Sequence, residues 1–173
     1  MPSLKKIILS LCILSASVMA VELGKVPSAV TIKGKEGGKI DGTAWSSSML
    51  KGKMYILFYV DPDKKELNQE LADILKSKNY DRSKADSVAV INLAATWLPN
   101  AILEPMLKKK QKEFPKTLYV KDKKKVLVKK WHLSDDNSDI LIFDKKGKLI
   151  YKKFGKLSAL EIKKVIALIE KNL

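Results

Sequence analysis

The run Met54-Tyr55-Ile56-Leu57-Phe58-Tyr59-Val60 is uncharged from end to end, the pattern of a strand covered on both faces rather than one half open to water. Asp61-Pro62-Asp63 stops it. Asp63 with Glu66 three residues on reads as a capping box, opening a helix in which Leu67, Leu71, Ile74 and Leu75 form one stripe. Ser87 to Leu93 is a second uncharged strand. Strand, helix and strand in this order make a right-handed parallel unit.

Working outward toward the C-terminus, Pro99 and Asn100 open a helix over 101–114, with Ile102, Met106 and Leu107 facing inward. A short strand follows at 117–120. In 124–131 the apolar positions Leu127, Val128 and Trp131 suit a short helix, because strand alternation from Val126 would bury Lys130. Residues 139–143, the turn Asp144-Lys145-Lys146-Gly147 and residues 148–151 form a β-hairpin, with Gly147 where a positive φ is wanted. Gly155 ends it. Ser158 and Glu161 make another capping box, and Ile162, Val165, Ile166 and Ile169 are the inner face of the last helix.

Toward the N-terminus, residues 21–45 read as an extension with short strands, one near 29–32 and then a turn at 35–38 leading to Lys39-Ile40-Asp41-Gly42. Its glycines are followed by no Gly-Lys-Ser/Thr, so they are not a phosphate loop. The order after the extension is β-α-β-α-β-α-β-β-α, an α/β sandwich whose mostly parallel sheet ends in an antiparallel hairpin. One domain over 46–173 is expected, since 173 residues suffice for a single core.

Residues 1–20 read as a cleaved signal peptide. Lys5 and Lys6 precede the apolar run from Ile7 to Leu14, and Val18 and Ala20 are the small residues before a cut after Ala20. The uncharged stretch is shorter than the roughly 20 residues of a spanning helix. A periplasmic location follows. Cleavage removes Cys12, the single cysteine, leaving no sulfur for disulfide exchange or thiol peroxidase chemistry. One cysteine and one histidine, His132, also exclude a cysteine-rich zinc site or a disulfide framework.

This order, with Gly52-Lys53 before the first long strand and Phe114-Pro115 before a short one, resembles the thioredoxin superfamily. Trp131-His132-Leu133, Ser138 to Lys148 and Glu161 to Leu168 resemble more closely the YtfJ family of periplasmic thioredoxin-like proteins. The resemblance spans about 45–173. It implies a thioredoxin-like three-layer sandwich with a mixed sheet and an antiparallel C-terminal hairpin. It also places the superfamily's two redox cysteine columns at Lys64 and Leu67, and its cis-proline at Ser138. None of the three can carry thiol exchange, and a non-proline cis bond costs roughly 2.5–4 kcal/mol, so a trans peptide is expected at Ser138. The fold carries over and the redox function does not. Some family members carry a transcriptional-regulator label, which fits only a chain that is not exported.

Two surfaces remain as candidates. The thioredoxin-like arrangement brings Asp61 and Asp63 toward Asp135, Asp136 and Asp139, an acidic pole suited to a hard cation, although no known calcium-loop spacing is present. A non-thiol, cation-dependent enzyme at Asp61, Asp63 and Asp135 is one reading. Most of the net charge of +15 sits on Lys108, Lys109, Lys110, Lys112, Lys116, Lys121, Lys123, Lys124, Lys125, Lys129 and Lys130. That face suits an anionic envelope component or an acidic protein partner. Nucleic acid is disfavoured, since Arg82 is the single arginine for bidentate base contacts. No cofactor and no metal are expected. His132 reads as a packed or surface residue, and Trp45, Trp97 and Trp131 as core or rim aromatics. The combined expectation is an exported, redox-inactive binding or adaptor module.

Overall fold

The computed structural model describes residues 20–173; the signal-peptide expectation falls almost entirely on residues outside that range. In chain order the strands are β1 (Thr31–Ile32), β2 (Gly37–Lys39), β3 (Trp45–Ser46), β4 (Met54–Val60), β5 (Ala85–Asn92), β6 (Thr117–Asp122), β7 (Ser138–Phe143) and β8 (Leu149–Phe154). The helices are α1 (Gln69–Lys78), α2 (Asn100–Glu113), α3 (Val126–Trp131) and α4 (Ala159–Asn172). A six-stranded mixed sheet runs β2-β6-β5-β4-β7-β8, and β1 and β3 pair as a small second sheet. Strands β4, β5 and β6 are parallel, while β2, β7 and β8 pair antiparallel with their neighbours.

Strand β4 has no polar face because it feeds two cores. Met54, Ile56 and Phe58 point to one side, among Leu71 and Leu75 of α1, Leu103 and Leu107 of α2, and Ile162, Val165 and Ile169 of α4. Tyr55, Leu57 and Tyr59 point to the other, among Ile32, Trp45, Leu127 and Trp131. Helices α1, α2 and α4 therefore cover one side of the sheet; α3, the small sheet and the segment from Val21 cover the other. Each fully buried aliphatic or aromatic side chain contributes about 1.5–3 kcal/mol. The three-layer expectation holds, and residues 21–45 do more than lead into it: Val21, Val30, Ile32 and Trp45 are core residues.

Several local expectations need correction. The segment 35–38 is not a simple turn: a 3-10 turn at Gly34–Glu36 runs into β2, which adds an edge strand beside β6. Glycine is required there. Gly37 has φ of 129°, and a Cβ on it would meet the Lys121 carbonyl oxygen. The Asp63–Glu66 capping box does not form. Asp61 instead caps a 3-10 turn at Pro62–Lys64, its Oδ1 accepting from the Asp63 amide at 2.8 Å, and α1 begins only at Gln69. Leu67 is half-buried, not a core residue, and the buried residue of that turn is Asn68. In α2 the stripe is displaced by one position: Leu103 and Leu107 are buried, while Ile102 and Met106 are 51% and 43% exposed. The capping box of α4 forms as read, Ser158 Oγ accepting from the Glu161 amide and Glu161 Oε2 from the Ser158 amide.

Candidate functional site between two helices

Asn68 immediately precedes α1, in the turn that follows β4. Its Nδ2 donates to the Ser138 carbonyl at 2.9 Å, to Ser138 Oγ at 3.1 Å and to the Gly155 carbonyl at 3.1 Å. Its Oδ1 accepts from the Leu157 amide at 3.0 Å. One side chain thus ties the start of α1 to the first residue of β7 and to the chain beyond β8. Lys64 is exposed and lies 3.9 Å from Asp136. Among the described residues no peptide bond is cis, the one before Ser138 included.

The acidic residues gather near the carboxyl ends of the parallel strands, yet each is already engaged. Asp61 is 2% exposed, and burial together with the neighbouring Asp63 and Asp136 raises its carboxyl above the usual range. Asp63 accepts from Thr96 Oγ1 at 3.3 Å. Asp135 is bound by Lys125 Nζ at 2.7 Å and Asn92 Nδ2 at 3.1 Å, and Lys125 with Asn92 holds it below the usual range. Asp139 is fully buried; its Oδ2 takes the Ser134 amide at 2.7 Å, its Oδ1 has no partner, and burial raises it. Among the described residues no group of three or more His, Cys, Asp or Glu side chains is placed to hold a metal ion.

Asp122, which the sequence reading passed over, is a structural carboxylate. It is fully buried, accepts from the amides of Lys124, Val126 and Leu127 and from the Tyr59 hydroxyl, and so caps α3. Burial, with Asp122 alongside, pushes the Tyr59 hydroxyl far above its ordinary value.

The lysine run is not one face. Lys108, Lys109, Lys110 and Lys112 lie on α2, on one side of the sheet, whereas Lys129 and Lys130 lie on α3, on the other. Several members are paired: Lys110 with Glu113, Lys121 and Lys123 with Glu104, and Lys125 with Asp135. Lys116 donates to the Tyr80 carbonyl, and Lys124 is exposed. His132 is exposed with φ of 55°, and no hydrogen bond joins it to Ser134 or Asp135. Trp45 and Trp131 are core residues, but Trp97 is 85% exposed.

One further feature has no counterpart in the sequence pattern. Between α1 and α2 lies an open groove of about 950 Å³. Phe58, Ala89, Ile91 and Tyr119 form its floor, Ala72 and Leu75 one wall, Leu103 and Met106 the other. Its size is that of a small-molecule site, roughly 300–1,000 Å³. The mouth near the start of α1 carries Asp63, Lys65, Asn68 and Ser138; the opposite end carries Phe114, Pro115 and Lys116. Burial and the Glu113 charge lift the Tyr119 hydroxyl to about 12, so it stays protonated in the floor.

Residues 18–172 match the YtfJ_HI0045 family model, described as a bacterial protein of unknown function. The chain belongs to that family. An uncharacterized protein of Haemophilus influenzae is 30% identical, over 95% of this chain and 96% of its own. The uncharacterized protein YtfJ of Escherichia coli K12 is 25% identical, over 99% of each. The exposed lipoprotein thioredoxin of Streptococcus pneumoniae superposes with a TM-score of 0.61 at 13% identity, over 83% of this chain and 99% of its own. That likeness places the fold among the thioredoxins.

Proposed function

We propose that this protein is an exported, redox-inactive binding or adaptor module of the thioredoxin fold, which holds its ligand in the groove between α1 and α2. The observation that carries this reading is the groove itself: about 950 Å³, apolar-floored and open beside the start of α1, near Lys64 and Leu67, where the family resemblance puts the redox cysteine columns. Residues 1–20, with their paired lysines, apolar run and small residues, support export to the periplasm. The cation-dependent enzyme reading loses support, since Asp61, Asp63 and Asp135 are each satisfied within the chain. A regulatory role on DNA would require the chain to stay in the cytoplasm.

Two results test the reading. Intact mass from an osmotic-shock fraction is expected to show a species beginning at Val21; an uncleaved cytosolic species would overturn export. Titration with the uncharged probe Nile red is expected to give a saturable, single-site fluorescence rise that Ala72→Trp abolishes while the protein stays folded. No rise, or a rise that the groove-filling substitution leaves intact, would overturn the groove as the binding site.

A further inference from the structure

The groove is polarised along its length, and the polarity names the ligand class. At the Phe114 end, Lys76 Nζ lies 4.7 Å and Lys110 Nζ 5.1 Å from the centre of the Phe114 ring, with Lys116 on the same rim. Glu113, paired to Lys110 at 3.1 Å, offsets one of these charges and leaves a net positive cluster. The other mouth carries Asp63 together with Lys65 and so has no net charge. Between the two ends the floor is apolar and includes the small side chain of Ala89 on β5, with Ala72 of α1 on the wall beside it.

We infer that the groove takes an anionic single-chain amphiphile, whose charged head lies among Lys76, Lys110 and Lys116 and whose acyl chain runs over Phe58 and Ala89 toward Val60 and Leu98. This rests on the groove being a binding site at all. Charge sets the direction: a head group reversed in the slot would meet Asp63 beside Lys65, with no net positive charge to hold it. The apolar floor gives the chain its affinity, because each methylene moved out of water strengthens binding by several-fold.

Displacement of Nile red from the full chain tests the inference, with octanoate, laurate, palmitate, lysophosphatidylglycerol and uncharged monopalmitoylglycerol as competitors, all below their micellar concentrations. Affinity is expected to climb along the fatty-acid series and to favour palmitate and lysophosphatidylglycerol over monopalmitoylglycerol by about tenfold. The stronger of the two anions distinguishes a free fatty acid from a phospholipid head group. Lys76→Glu with Lys116→Glu should erase the preference for anions while leaving Nile red binding in place; Lys76→Gln serves if the double variant unfolds. Equal affinity for charged and uncharged chains, indifference to the lysine substitutions, or displacement by an acidic amphipathic peptide but by none of the lipids would overturn the inference while leaving the groove as a binding site. Failure of Nile red itself to bind would overturn both.

Discussion

Asn68 is a single buried polar side chain that ties three segments of the chain together. Its bonds to Ser138, Gly155 and Leu157 are all buried or part-buried, and a buried donor or acceptor left without a partner costs about 1–3 kcal/mol. Asn68→Ala is therefore expected to lower unfolding stability by about 2–3 kcal/mol in urea, with the β7 and β8 amides near Ser138 exchanging fastest; a change within about 0.5 kcal/mol would contradict the clamp. Asp139 makes the opposite prediction. Its carboxyl is raised in the folded state above the unfolded value of 3.8, so the native protein binds the proton more tightly and stability falls as pH rises from about that value through the folded one. Asp139→Asn keeps an oxygen for the Ser134 amide, and should raise Tm at neutral pH but not below pH 3.8. Glu161 behaves in the usual carboxylate sense: Lys153 first, then the Ser158 amide and hydroxyl, hold it at about 2. Its contribution is present above the ordinary value of 4.5 and is lost as pH falls toward 2. Glu161→Gln should lower Tm at neutral pH, and the gap to the parent should close near pH 2.

At the level of elements, the parts that could be read from sequence were those whose signal is local. The uncharged run at 54–60, the hairpin glycine at 147 and the Ser158–Glu161 box are each decided within a few residues, and each is present. The errors arose where a distant partner decides. Asp63 and Glu66 had capping-box spacing, but Asp61 before Pro62 took the cap, and Asn68 delayed α1 because its side chain is held by residues far along the chain. In α2, Ile102, Leu103, Met106 and Leu107 make two adjacent stripes, and sequence alone does not say which faces the sheet. Leu103→Ala should therefore cost about 2–5 kcal/mol, whereas Ile102→Ala, at an exposed site, should stay within about 0.5 kcal/mol; equal costs would mean that α2 is rotated from its position here. The edge strand β2 was hidden for a different reason: glycines signal a turn, but here they admit the β6 backbone, so Gly37→Val should unpair β2 and deprotect the amides of Lys121 and Lys123.

Across the whole molecule, charge and space behave differently as signals. The lysine excess is plain in the sequence, yet its division between α2 and α3 on opposite sides of the sheet is a property of the fold. The groove has no sequence signature, because it is the gap left between two helices, and Ala72 and Ala89 look like unremarkable small residues until the walls are in place. The chain belongs to the YtfJ_HI0045 family and has a thioredoxin-like fold; within that scaffold an open apolar slot lies between α1 and α2. The most direct test is a methyl-group NMR map of the protein titrated with Nile red. The account predicts shifts at Ala72, Ala89, Ile91, Leu103 and Met106, with Val126 and Leu127 on the far side unmoved. Shifts centred on the α3 side, or none at any of these methyls, would contradict it.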